Sequence, residues 1–388
     1  MATFEEQAAS AVANDVVAGV VVIAKDKDGK LDYSKSFSRK NGTVYNEDTV
    51  LALASMSKLM TSVAGLQVVE KGLITLDEDV TPLLPSLAKQ EILTGFADDG
   101  TPITRKRQNP ITLRQLLTHS AGLGYPFMHE EVAKFVAWKK LPPNAGTVDE
   151  AFDAVLLYEP GEGYLYSSSI DRVGQVIEKV TGQNLEDYMR QNLWGPLGMD
   201  STTFFAAKYP NIQARRVPTA IRRDPKGPII ESSDEPWYTA GVKEPFGGQG
   251  IFSSPADYMK LLYSLLVDDE KVLKKETAAL MFQPQLSPKA KESLLEKMKK
   301  PDWLIGKYTP TNEYDWGVGG ILVDGDKHEF RREGYLNWGG AANPFWFIDR
   351  AAGVCGVFGI QLLPIFDPPT EDLIAAFEKE VYQKAGKL

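Results

Sequence analysis

Ser55 and Lys58 stand three positions apart at the head of the segment SMSKLMTSVAGLQVVEKG, a spacing that puts both side chains on one face of a helix. From Leu59 to Val69 the only polar side chains are Thr61, Ser62 and Gln67. A helix apolar on nearly every side belongs inside a core. An ammonium there is costly unless a partner or a function holds it. A hydroxyl beside a lysine that exchanges protons is one form of activated nucleophile. The backbone N–H of Ser55, at a helix start, is placed to donate to a developing oxyanion. A purely structural use also exists, with Ser55 capping the helix and Lys58 extending its alkyl stem to solvent. S-x-x-K alone does not choose between them.

Two further segments bear on that choice. In PGEGYLYSSSIDRVGQVIEKVTG, Tyr166 precedes Ser167-Ser168 just before a helix, with Tyr164 as the neighbouring candidate. A phenol near a lysine serves as a proton acceptor; otherwise it is a packed ring with a hydrogen-bonded tip. In YLNWGGAANPFWFID, Trp338, Gly339 and Gly340 precede a hydrophobic run, and paired glycines on a strand allow close approach of a ligand or another backbone, or mark a bulge. Tyr125, Phe127, Trp237, Phe246 and Trp338 lie near these segments and suit a pocket wall or a core equally. His119 sits in an apolar helical stretch, and His129 and His328 lack metal-type spacing, so no metal is expected. Gly247-Gly248-Gln249-Gly250 is not followed by Lys-Ser/Thr, as a phosphate loop requires.

The elements that must position these residues follow from periodicity and punctuation. A helix is expected over 3–14, then strands over 16–24 and 31–38 joined by the turn KDKDGK. From 77 to 241 the reading is mainly helical. Thr112 and Asn184 start helices, Gly182 ends one, and Gly195-Pro196 closes another. An amphipathic run follows Ser253-Ser254-Pro255, and Ser287-Pro288 is a cap followed by a first-turn proline. The C-terminal part reads as strands WGVGGILV, HEFRREG, NPFWFID and GVCGVFGIQLL, then a helix over 371–385. With strands at both ends, the expected fold is α+β. One antiparallel sheet built from both termini and flanked by helices occupies residues 1–76 and 242–388, and an all-helical lobe occupies 77–241, with the active site between them.

The bulk properties set bounds. With 388 residues, 43% hydrophobic and 24% charged, the chain is long enough for a sizeable core. A net charge of −9 argues against nucleic acid. The basic run 289–300 is broken by Glu292 and Glu296 and reads as a solvated helix face. No stretch reaches the ~18 apolar residues of a membrane span, and MATFEEQAAS lacks the basic and apolar regions of a secretory signal. The single cysteine, Cys355, excludes an internal disulfide. A cytoplasmic protein is expected.

In order and spacing, Ser55-Met-Ser-Lys58, Tyr166-Ser-Ser and Trp338-Gly-Gly resemble the serine β-lactamase and penicillin-binding protein superfamily. Within it the chain is most similar to the class C β-lactamase-related esterases, or family VIII carboxylesterases, in the fungal branch of lovastatin-type acyltransferases and hydrolases. GLITLDEDV, ITLRQLLTHSAGL, PLGMDSTTF and GGQGIFSSPADYMKLL support this. The resemblance implies a β-lactamase/transpeptidase-like fold, with Ser55 as nucleophile, Lys58 sharing protons, and Tyr166 as general base and acid. It implies an oxyanion hole from the N–H groups of Ser55 and Ala341, and substrate contacts at Trp338, Gly339, Gly340, Tyr125 and Phe246. The implied activity is hydrolysis of a small-molecule or secondary-metabolite ester, without cofactor. The alternative passes the acyl group from a donor to an alcohol, and a non-catalytic binding protein is the reading from another class. Two departures matter. Ser168 stands where the family commonly carries Asn, and Trp338-Gly339-Gly340 replaces Lys-Thr-Gly. An indole cannot pair with a β-lactam carboxylate, so β-lactamase activity is expected to be weak or absent.

Overall fold

The computed structural model describes residues 2–142, 145–224 and 227–388. Its organising element is a seven-stranded sheet of β1 (Gly19–Asp26), β2 (Asp32–Ser38), β3 (Tyr314–Trp316), β4 (Ile321–Val323), β5 (Leu336–Gly339), β6 (Phe345–Asp349) and β7 (Val354–Gly359). The order is β2-β1-β7-β6-β5-β4-β3, antiparallel at every pairing, so the N-terminal hairpin joins the C-terminal strands through β1 and β7. Alternation along β7 decides what covers each face. Phe358 meets Phe4 of α1 (Phe4–Ala13), and a side chain at Gly356 would strike Phe377 of α5 (Pro368–Lys384). On the opposite face, Cys355 lies against Met259 of α4 (Pro255–Val267). Its thiol is buried, and burial pushes its pKa up.

Helix α2 (Ser57–Glu70) is buried from Ser57 to Val68. It packs along α3 (Ser169–Thr181), where a side chain at Gly65 would lie 3.1 Å from Val173. Its N-terminus is fixed from several directions. Leu51–Ala52 pair with Phe252–Ser253, the Ile251 N–H donates to Ser57 Oγ at 3.0 Å, and Tyr258 donates to the Met56 carbonyl at 2.9 Å. The helix starts read at Thr112, Asn184 and Ser287 carry side-chain caps, and so do Thr3 and Ser254. Among the described residues no helix is long and apolar enough to cross a membrane, and no group of His, Cys, Asp and Glu is placed to hold a metal.

Several expectations are corrected. The 77–241 region is not purely helical. It carries the hairpins Ile92–Phe96/Pro102–Arg105 and Thr219–Arg222/Ile229–Ser232. The first turns at Asp98-Asp99-Gly100, where Gly100 takes φ +80°, a hairpin signal that the helical reading passed over. WGVGGILV is not one strand but β3, a glycine turn and β4. The helix begun at Leu185 does not stop at Gly195-Pro196. A π turn at Arg190–Trp194 carries it on to Leu197.

HEFRREG forms no strand. Arg331 turns inward from it to make a two-pronged contact with Glu378 of α5, at 3.1 and 2.7 Å, and Tyr335 donates to the same carboxylate at 2.5 Å. Both partners are buried. Because Glu378→Ala would strand the Arg331 guanidinium in the core, it should lower unfolding free energy by about 3 kcal/mol. Urea denaturation measures this, and a loss under about 1 kcal/mol would show that the pair contributes little.

Candidate active site

Ser55 sits in a 3-10 turn, Ala54–Met56, that runs directly into α2. The preceding residue, Ala54, is held at φ +47°, a left-handed conformation that costs a non-glycine residue of order 1 kcal/mol. The turn survives because its flanks are tied, with Leu53 N–H bonded to the Ile251 carbonyl at 2.9 Å. Lys58, one turn further on, is 1% exposed. Its Nζ donates to Ser55 Oγ at 3.2 Å, to the Tyr125 hydroxyl at 3.3 Å and to the Gly248 carbonyl at 2.7 Å. An ammonium has three N–H bonds, and each has an oxygen to meet. The outward-reaching alternative for Lys58 is thereby excluded.

The Gly248 carbonyl reaches Lys58 because glycines let this segment run against two helices. A side chain at Gly247 would come within 3.0 Å of Thr61, and one at Gly248 within 2.4 Å of the Asp171 carboxylate. Thr61 donates to the Gly247 carbonyl at 2.7 Å, and the Gly248 N–H donates to Asp171 Oδ1 at 2.8 Å. Asp171 is completely buried, with Oδ2 unpartnered. Burial pushes its carboxyl up to about 6, against the opposing pull of Lys58. Sequence reasoning missed this residue. The available signal was a carboxylate flanked by Ile170 and Val173 on a helix whose core face is apolar.

Tyr166 and Trp338 form the adjoining wall. The Trp338 indole N–H donates to the Tyr166 hydroxyl at 3.1 Å, with ring centroids 4.9 Å apart. Indole only donates, so the Tyr166 oxygen is the acceptor. Lys58 Nζ lies 4.8 Å from the Tyr166 ring centroid. Tyr125, not Tyr166, supplies the phenol oxygen that Lys58 bonds. The Tyr125 hydroxyl is driven well above its usual range by burial, then by Asp171 and Tyr166. His119 packs beneath Tyr166 at 4.7 Å, and burial and Lys58 hold it well below its usual range, as a neutral ring. Tyr164 is buried behind the wall against Trp316. At the end of β5, a side chain on Gly340 would sit 2.2 Å from the Leu53 carbonyl. Only glycine lets the Ala341 peptide come up beside the serine turn.

These groups open on a cavity of about 520 Å³. Ser55, Tyr125, Tyr166, Trp338, Gly339, Gly340 and Ala341 line it, as do Phe127 and Trp237 at its exposed rim. Phe246 does not, which corrects its expected role. It is 2% exposed and packs on Phe152. The remaining wall, including Met128, Tyr238, Gln249, Trp303, Leu304, Ile305 and Phe366, was missed. Trp303-Leu304-Ile305 offered a signal, as an apolar triplet beyond Pro301 with no periodic element to account for it.

A serine–lysine pair, its lysine buried, at the start of a central helix and beside an antiparallel sheet strand, is an arrangement that suits serine acyl transfer on an α+β scaffold. A family profile described as β-lactamase matches residues 4–377, and the chain belongs to that family. Among curated proteins it is 36% identical to a monacolin J acid methylbutanoyltransferase of Aspergillus terreus, over 96% of this chain and 93% of the other. It is 35% identical to a lovastatin esterase of Penicillium rubens, over 97% and 96%. Among solved structures, a simvastatin synthase mutant from Aspergillus terreus superposes with a TM-score of 0.91 at 36% identity, covering 99% of this chain and 95% of that one. With acyltransferases and esterases as relatives, the chain is a serine-type carboxylic ester hydrolase or acyltransferase.

The buried Asp171 generates a pH prediction. With its carboxyl near 6 when folded, against 3.8 as the ordinary value, the folded chain holds a proton that the unfolded chain has released between these limits. The stability this supplies is complete below pH 3.8 and is lost as pH rises through about 6. Asp171→Asn removes that dependence. The Tm of the variant relative to wild type should therefore rise between pH 4.5 and 7.5, and a flat difference would mean the carboxyl titrates normally.

Proposed function

We propose that the chain cleaves carboxylic esters through an acyl-enzyme on Ser55 and gives up the acyl group to water, with an alcohol acceptor as the second reading. The observation that carries this is the saturation of Lys58, whose three donors meet Ser55, Tyr125 and Gly248. A lysine so placed donates to the serine oxygen and leaves the serine proton to another base. Of the two phenols at the site, Tyr125 is a poor choice, since burial and the Asp171 carboxylate oppose its ionisation. Tyr166, which lines the pocket together with Ser55, is the base.

In the proposed sequence Ser55 Oγ attacks the ester carbonyl while its proton passes to the Tyr166 oxygen, which enters the step as the phenolate and leaves it as the phenol. The N–H groups of Ser55 and Ala341 hold the tetrahedral oxyanion, in a site where such donors are worth several kcal/mol. As the C–O bond breaks, Tyr166 returns the proton to the departing alcohol, leaving an ester on Ser55. Water, or an alcohol, then attacks that ester by the reverse steps. None of these steps calls on a metal or cofactor. The second reading draws on the pocket itself, which is walled by aromatic and aliphatic side chains and has room for an acyl chain and an alcohol together. It also accords with the methylbutanoyltransferase name of the relative. An acyl donor, ester or thioester, would then be the partner.

Labelling with a fluorophosphonate should add one adduct by intact mass, absent in Ser55→Ala. A folded wild type that stays unlabelled would favour a binding protein. Lys58→Ala and Tyr166→Phe should each lower turnover of p-nitrophenyl esters by about 100-fold or more, and Tyr125→Phe by much less. The reverse order for the two tyrosines would move the base to Tyr125. Product analysis with added alcohols divides transfer from hydrolysis.

A further inference from the structure

Tyr166 lies in the irregular segment 163–167, ahead of α3. No helix or strand ladder fixes its backbone there, so the peptide groups around it must find partners elsewhere. Two of them find the same residue. The Leu165 N–H donates to the His119 carbonyl at 3.0 Å, and the Ser167 N–H donates to His119 Nδ1 at 3.3 Å. Between these two peptides the imidazole packs against the phenol ring, with centroids 4.7 Å apart. The Tyr158 hydroxyl donates to the same carbonyl at 3.3 Å, and the Ser167 hydroxyl lies 3.3 Å from Nδ1. His119 is 1% exposed and stands at φ +56°, a left-handed conformation that a non-glycine residue keeps only where its surroundings impose it.

The contacts also fix the state of the ring. Nδ1 receives a peptide N–H, so its lone pair is in use and the imidazole proton sits on Nε2. Nε2 is buried without a hydrogen-bond partner, beside the rings of Tyr164 and Trp316. An imidazolium would find no acceptor at Nε2 and would meet a donor at Nδ1. Burial and the Lys58 charge push the pKa down in the same sense. A ring present only to fill space would need no acceptor at Nδ1.

We propose that His119 is a positioning residue for the base: as the neutral Nε2–H ring it holds the peptides on either side of Tyr166, and so sets where the phenol oxygen stands relative to Ser55. His119 does not line the catalytic cavity. It acts through Tyr166, and the assignment rests on the reading of Tyr166 as base.

The test is a double-mutant cycle on the turnover of p-nitrophenyl esters. His119→Leu removes the acceptor and should lower kcat and kcat/KM together by about tenfold or more, because a displaced base weakens the transition state and not the binding of substrate. His119→Asn, which restores an acceptor near the Nδ1 position and tolerates the left-handed backbone, should recover most of the loss. In a Tyr166→Phe background, His119→Leu should cost less than about twofold further. An equal loss in both backgrounds overturns the assignment, since His119 would then support the fold at large. So does a folded His119→Leu that keeps the wild-type kcat. Near-normal turnover in Tyr166→Phe alone removes the base itself, and that result is in hand before His119 is changed. NMR of the 15N-histidine-labelled enzyme needs no variant at position 119 to fold. With its signal assigned by substituting His129 and His328, the His119 ring should appear as the Nε2–H tautomer, unchanged from about pH 5.5 to 8. An Nδ1–H ring overturns the assignment.

Discussion

Burying an ammonium on an apolar helix is the constraint around which the site is organised. Lys58 cannot reach water, so the fold must bring oxygens to it, and they come from three places: the turn before α2, the loop at Tyr125 and the glycine segment at Gly248. A charge buried without such partners costs several kcal/mol. Satisfying it therefore fixes the relative placement of segments up to 190 residues apart in sequence. The Asp171 carboxylate adds a second condition. It lies behind the Gly248 peptide, holds that peptide by its N–H, and faces Lys58 as a counter-charge without taking one of its protons. The lysine is thereby kept as a donor to the Ser55 oxygen.

Close approach does the rest of the positioning. Gly247 and Gly248 allow the loop onto α2 and α3, and Gly340 allows the end of β5 onto the serine turn. Each position is one where a methyl group would meet backbone or a buried carboxylate, so the glycines act by what they leave out. The strain at Ala54 belongs to the same device. A left-handed residue just before the nucleophile turns the serine out of the helix start and into the cavity, and the bonds of Leu53 and Ser57 to Ile251 hold it there.

Much of this was legible in the sequence, for reasons that differ by residue. Ser55 and Lys58 could be read because a polar pair on an otherwise apolar helix is anomalous, and capping residues such as Thr112 and Ser287 because a local hydrogen bond fixes their role. Tyr166 and Trp338 emerged from order and spacing. What escaped was set by partners distant in the chain. Asp171 looks like any helix-start acid until Gly248 is packed on it. HEFRREG has strand-like neighbours, yet its Arg331 is claimed by Glu378 on the last helix. Phe246 and Tyr125 are both aromatic residues beside motif segments and both pack against Phe152, yet only Tyr125 lines the cavity. The short hairpins at 92–105 and 219–232 were lost because alternation over four or five residues is a weaker signal than helical periodicity over ten.

The same geometry bears on what becomes of an acyl group on Ser55. Hydrolysis and transfer share every atom of the machinery up to the acyl-enzyme, so the difference must lie in what occupies the space facing the ester carbonyl when the first alcohol has left. That space is bounded by Trp338, Trp303, Tyr238, Ile305 and the exposed rings of Phe127 and Trp237, surfaces that order water poorly and favour an apolar body. An alcohol with a large hydrocarbon frame gains by covering them, while a water molecule does not. The balance between the two fates is then one of occupancy. A bound acceptor excludes water from the carbonyl face and receives the acyl group, and an empty pocket admits water and releases it. Occupancy of one apolar space can thus separate hydrolysis from transfer, which is why esterases and acyltransferases can share one fold and one set of reacting groups.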